Sequence, residues 1–169
     1  MRSKAKPLPP LSVLREHFSY DPETGIVERI KANKYRPNSI GPCGTPEKPG
    51  GCLFVKWNGN HLKIHRLAWK LQTKQEPPEK IDHKNRNPSD NRWVNLRETT
   101  HQGNMANCHR PGKYLPGVRP VGNRWYAQAT SRTDNQGLGA FDTEAEAHAA
   151  YKAWHLSYYG EFSVYAPSA

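Results

Sequence analysis

The sequence predicts an α+β chain built from small modules, and three observations carry that reading. Hydrophobic residues are 35% of the 169, while 15 Pro and 13 Gly interrupt the chain repeatedly, so several small cores fit better than one large one. Short alternating runs flank strong turn signals, the pattern of hairpins. Other stretches place apolar residues three and four apart, the period of helices.

Taken in order, residues 1–10 are Pro- and Lys-rich and read as a disordered basic tail. Leu11 and Leu14 share a face of a short helix over 11–17. FSYDPETGIVERIK follows as a hairpin turning at Asp21–Gly25, with Ile26 and Ile30 on one face and Val27 on the other. The Pro/Gly/Asn-rich residues 32–51 read as a loop. CLFVKWNGNHLKIH is the clearest hairpin, because Asn58-Gly59 suits a two-residue type I′ turn. HRLAWKLQTK then has Leu67, Ala68 and Leu71 at helical spacing, and Pro77-Pro78 stops it. His65 opens this helix and could face the active site, though local packing is the stronger expectation for a histidine at a helix start. Lys63, Arg66, Lys70 and Lys74 are expected to form a basic face touching phosphate.

Charge narrows the partner. The net charge is +10, and residues 1–112 hold 20 of the 25 Lys+Arg against 10 of the 15 Asp+Glu, which points to a polyanion. No apolar run approaches the roughly 20 residues of a membrane span, and MRSKAKPLPPL lacks the apolar centre of a signal peptide. A soluble, intracellular protein is expected. Cys43, Cys52 and Cys108 form no CxxC pair and leave one thiol over, against a disulfide framework. Zinc on these three with His109 is conceivable, but free thiols fit the spacing better.

Residues 81–109 organise the rest. Ile81 leads into Asp82-His83. A loop rich in Asn, Pro, Ser and Asp runs from Asn85 to Arg92, a second short strand holds Trp93, Val94 and Leu96, and a helix begins near Thr99 or Thr100. That layout can gather a carboxylate, an imidazole and an amide oxygen around one small pocket, a set suited to a hard cation and a general base. Asp82-His83, eleven residues, Asn95-Leu96-Arg97, then Gln102-Gly103-Asn104 resembles the HNH nucleases, in their phage homing-endonuclease branch. YDPETG and the HRLAW helix extend the resemblance over residues 11–109. It implies a ββα-metal nuclease core preceded by N-terminal hairpins. It also implies Asp82 and Asn104 as ligands of one Mg²⁺ (Mn²⁺ may substitute), His83 as the base, and Asn95 as the brace of the loop carrying His83. Lys84 and Arg97 are candidate phosphate contacts.

Residues 110–116 read as a linker to a second module, residues 117–169. GVRPVGNRWYAQATSR gives two strands around Gly122-Asn123, NQGLGAF a third, and Thr143 with Glu146 a capping box for a helix. Ala147, Ala150, Tyr151, Trp154 and Tyr158 form its apolar stripe, and Gly160 ends it. The expected unit is a three-stranded antiparallel sheet packed on one helix. Trp125, Ala127 and Ala129 face that helix, leaving Gln128 and Thr130 outward with Arg119, Arg124 and Arg132. GVR, RWYAQA, LGAFDTEAEAHAAY and GEF resemble the Apetala-two (ethylene-response-factor type) DNA-binding domain, whose sheet lies in the major groove. Gln and Arg can read adenine and guanine bidentately.

The function expected is a metal-dependent HNH endonuclease of homing type, a monomer nicking one strand of double-stranded DNA per active site and leaving 3′-hydroxyl and 5′-phosphate ends. No membrane and no small-molecule substrate is expected, and the resemblance implies the cytoplasm of a phage-infected bacterium. Two alternatives stand beside it: a sequence-specific DNA-binding regulator with a silent nuclease fold, and a structure-selective phage nuclease.

Overall fold

Asn58 and Gly59 both take positive φ, 47° and 75°, which is the type I′ turn that lets two strands twist together without splaying. They join β5 (Leu53–Trp57) to β6 (Asn60–Lys63). The computed structural model describes residues 6–32, 37, 39–108, 112–131 and 135–167. The chain divides into two units, residues 1–100 and 101–169. Among the described residues no helix is long and apolar enough to cross a membrane.

The first unit opens with α1 (Leu11–His17), β1 (Phe18–Tyr20) and β2 (Val27–Arg29). Of the expected tail, residues 1–5 lie outside the described residues. Residues 6–10 form no helix or strand, and the Leu8 carbonyl accepts from Lys70 Nζ. The alternation in β2 buries Val27 and Arg29 and leaves Ile26 and Ile30 exposed. Part of the stretch expected as loop pairs instead. β3 (Gly41–Cys43) adds to β2, and β4 (Thr45–Pro46) adds to β5, giving two three-stranded antiparallel sheets. Strands this short have no readable alternation; long-range pairing makes them.

Val55, Trp57 and Leu62 alternate inward from the β5–β6 hairpin onto α2 (Ile64–Thr73), meeting Leu14, Phe18 and Leu67. Each large side chain so buried contributes about 1.5–3 kcal/mol. α2 ends before Pro77-Pro78, because Lys74 takes the left-handed conformation (φ 64°) and its N–H returns to the Lys70 carbonyl. β7 (Ile81–His83) then pairs antiparallel with β8 (Leu96–Glu98). Trp93–Asn95, expected at the start of that second strand, forms a 3₁₀ turn instead.

The second unit begins with α3 (His101–Ala106). Strands β9 (Val118–Val121), β10 (Arg124–Thr130) and β11 (Asn135–Phe141) form an antiparallel sheet in the order β11-β10-β9. Ala127 and Ala129 are buried, as is Ala147 on α4 (Glu144–Tyr159), the helix opened by the Thr143/Glu146 capping box. The buried stripe of α4 differs from the expected one. It runs through Ala147, His148 and His155, while Tyr158 is 48% exposed. The imidazoles can lie inward because His148 Nδ1 bonds the Pro116 carbonyl and His155 Nδ1 the Ser163 hydroxyl. A periodicity count of apolar residues alone misses them.

Candidate active site

The antiparallel register of β7 and β8 sets Asp82 directly across from Arg97 and His83 across from Leu96. Opposed residues of a pair lie close enough for their side chains to meet, and here they do. Arg97 donates from Nε (3.0 Å) and Nη2 (2.8 Å) to Asp82 Oδ2, with the two side chains only 10% and 8% exposed. Arg97, expected to touch phosphate, is therefore turned inward onto the candidate metal ligand. Lys84, the other expected phosphate contact, donates its backbone N–H to the Asn95 carbonyl.

Asn95 ties the two ends of the polar loop together. Its Oδ1 accepts from the Asn85 N–H at 2.9 Å, and its Nδ2 donates to the Asp90 carbonyl at 2.7 Å. Between those points the loop satisfies itself locally. Asn85 Oδ1 accepts from the Asn87 N–H and Asn87 Oδ1 from the Ser89 N–H, the Asx-turn chemistry that makes such residues good loop formers. Asp90 takes the Arg92 guanidinium in two bonds and the Asn85 amide in a third. Those partners, Arg92 first, hold its carboxyl down to about 2.

His83 is 7% exposed, and its Nε2 lies 3.3 Å from Oδ1 of Asn91, itself 2% exposed. Burial pushes the imidazole below its ordinary pKa, while the Asn91 bond and the charges of Asp82 and Asp90 pull it back up. A neutral ring at physiological pH suits a base. No motif singles out Asn91, which reads as one more solvated loop residue. Of the two expectations for His65, local packing and a place facing the site, its ring fits the second: it stands edge-on to that of His83, with centroids 5.4 Å apart at 88°. Its Nδ1 is buried without a hydrogen-bond partner. Burial, then the charges of His83, Lys63 and Arg66, push its pKa down to about 3. The spacing from His65 to His83 carries no helical or strand period, so only the folded register reveals the contact.

This depressed pKa carries a stability prediction. The unfolded chain protonates His65 near 6.5 and the folded chain near 3, so the folded state is fully favoured above pH 6.5 and loses ground as pH falls from there toward 3. Between pH 7.5 and 5.0 the first unit should lose about 2 kcal/mol from this group alone. Urea unfolding followed by tryptophan fluorescence at the two pH values, for wild type and His65→Gln, measures it. Equal pH dependence in both proteins would show that His65 protonates freely in the fold.

The expected basic face of α2 is only half withdrawn from solvent: Lys70 and Arg66 are drawn inward, while Lys63 and Lys74 stay exposed. Lys70, 6% exposed, is paired with Glu76, Arg66 donates to the Pro78 carbonyl, and Lys63 pairs with Glu47 at 3.6 Å. Only side chains that stay in solvent can meet a phosphate, and the sequence did not distinguish these.

For a cation, Asp82 in the first unit offers a carboxylate, a hard donor of the kind divalent ions take. Asn104 is half-buried on α3 in the second unit, its carbonyl accepting from the Cys108 thiol. Any cation at Asp82 shares that carboxylate with Arg97. Among the described residues no group of three or more His, Cys, Asp or Glu could hold a metal ion. Cys43 and Cys52 are half-buried and Cys108 exposed, and His109 lies outside the described residues.

In the second unit the alternation of β10 places Arg124, Tyr126, Gln128 and Thr130 on one face, opposite buried Ala127 and Ala129. Arg119 lies across from Tyr126 in the β9 register, its guanidinium 5.7 Å from the ring centre. Arg124 is exposed and ion-paired with Asp142 at 3.3 Å. The Thr130 hydroxyl donates to Asn135 Oδ1. Arg132 lies outside the described residues.

Residues 62–106 match the family model of the HNH endonucleases, a stretch that runs from β6 through α3 and contains Asp82, His83, Asn95 and Asn104. No curated protein matches the chain. No solved structure does either. The family match supports a nuclease, a hydrolase acting on DNA, and that class commonly uses divalent metal ions.

Proposed function

We propose that the chain is a metal-dependent DNA endonuclease of the phage homing type that nicks one strand per active site. The observation that carries this reading is the buried Asp82-His83 pair at the end of β7, followed by a polar loop whose ends Asn95 ties together. His83 takes a proton from the attacking water, and its depressed pKa keeps it unprotonated and ready to do so. Asp82, with Asn104 as the resemblance assigns it, would hold the ion. When bound, Mg²⁺ would neutralise charge on the scissile phosphate and at the departing 3′ oxygen. Asn95 keeps the loop from drifting and so keeps the ring aimed. The products are a 3′-hydroxyl and a 5′-phosphate.

The second unit is an Apetala-two type module in this reading, laying the β9–β11 sheet on the major groove. Arg119, Arg124, Gln128 and Thr130 supply the polar contacts from its open face, each well-placed bidentate pair giving about 1–3 kcal/mol of discrimination.

One observation favours the silent-fold alternative: Asp82 already carries a cationic partner in Arg97. Supercoiled plasmid separates the two. The nuclease should convert it to the open circle with Mg²⁺ and stop in EDTA, at sites that recur in mapping. Tight binding that leaves the plasmid intact across Mg²⁺ and Mn²⁺ would establish a binding protein. Nicks tied to DNA structure rather than sequence would favour a structure-selective enzyme.

A further inference from the structure

We propose that Asn91, gripped by the N-terminal hairpin, is the positioning residue that orients the His83 ring and holds it as its Nε2–H tautomer. The catalytic half of this statement rests on the nuclease reading above. The tautomer does not.

The orientation of the Asn91 amide decides the matter. Its Nδ2 donates to the Ser89 carbonyl at 3.1 Å, and its Oδ1 faces His83 Nε2 at 3.3 Å. Rotating the amide by half a turn would set Oδ1 against the Ser89 carbonyl oxygen, two acceptors with no proton between them. Oδ1 therefore stays toward the ring. An amide oxygen can only accept, so Nε2 carries the hydrogen. With Asn91 at 2% exposure, there is little room for water to take over the bond.

What fixes Asn91 is the hairpin of the YDPETG motif, remote in sequence from Asp82-His83. The Tyr20 hydroxyl donates to the Asn91 carbonyl at 2.8 Å. Burial, then the charges of Asp21 and Asp90, raise the Tyr20 pKa, so the phenol remains a donor over the whole working range. Gly25 holds φ 75°, and a Cβ there would lie 2.5 Å from the Asn91 carbonyl carbon and 2.4 Å from the Arg92 nitrogen. Two residues on, the Trp93 N–H donates to the Pro22 carbonyl at 2.9 Å. The hairpin thus clamps the loop at Asn91 and over the two residues that follow it, and Asn91 passes that constraint to the ring. His65, edge-on to His83, limits its tilt from another direction.

The tautomer is read directly by long-range ¹H–¹⁵N NMR of imidazole-labelled, metal-free full-length protein near pH 8, above the ordinary histidine pKa of about 6.5. Wild-type His83 should show its hydrogen on Nε2. Asn91→Ala should lose the preference. Wild-type His83 with its hydrogen on Nδ1 overturns the proposal, a result that needs no variant to fold. In plasmid nicking, Asn91→Ala should lower kcat about 10- to 100-fold with KM unchanged, the scale seen when a partner that orients an active-site group is removed. An unchanged kcat in Asn91→Ala would also overturn it. If wild type never nicks, the nuclease reading fails, while the NMR result still decides the tautomer.

Discussion

Replacing Arg97 by alanine is expected to destabilise the first unit by about 3–5 kcal/mol, the cost of leaving a buried charge without its partner. The two strands bring Asp82 and Arg97 face to face, and two guanidinium bonds end on one carboxylate oxygen with both side chains at or below 10% exposure. A pair on the open surface would contribute only about 0–1 kcal/mol. Urea unfolding of Arg97→Ala measures the difference, and the double variant Asp82→Ala with Arg97→Ala should recover much of the loss, since no orphaned carboxylate remains. A loss under about 1 kcal/mol would mean that the pair behaves as a solvated one. The variant also reports on the ion without any cleavage assay. If Asp82 holds Mg²⁺, titrating Mg²⁺ should raise the stability of Arg97→Ala more than that of wild type, because a ligand binding only the native state stabilises it by mass action.

His83→Ala is expected to lower the nicking rate by about 10²–10⁴-fold, the usual contribution of a positioned general base. DNA binding should change little, since the ring is 7% exposed and offers scant surface to a duplex. Single-turnover nicking beside a band-shift titration separates the two effects. A residual rate within tenfold of wild type would remove His83 from the role of base. A parallel loss of binding would point to a collapsed loop, which His83→Gln would help to distinguish because it retains polar atoms near Asn91.

Local chemistry is what the sequence made legible. The Asn58-Gly59 turn, the Asp21–Gly25 turn and the Thr143/Glu146 box each depend on residues within a few positions of one another, so the pattern contains its own cause. The Asp82-His83 and Asn95 spacing was legible for the same reason, as one hairpin with one loop. Features that needed register were not. Arg97 read as a surface charge until β7 and β8 aligned it with Asp82, 15 residues away. A hairpin alignment pairing His83 with Leu96 would have found it, since the neighbouring pair is then Asp82 with Arg97. His65 and Tyr20 lie farther off, at no regular spacing from the residues they meet. Strands β3 and β4 were hidden by composition, because Pro and Gly mark loops when nothing distant is pairing with them.

The placement of α3 has a consequence for how such a chain could be recombined. Six residues are too few to hold a helix alone in water, and this one is fastened to the far end of its own unit, its Ala106 carbonyl accepting from the Val164 N–H and Gln102 reaching the Tyr158 hydroxyl. Exchange of the C-terminal module for another, spliced at the Pro/Gly-rich stretch 110–116, would carry away Val164 and Tyr158 and strand the helix that bears Asn104. A graft joined ahead of His101 moves helix and anchor as one piece.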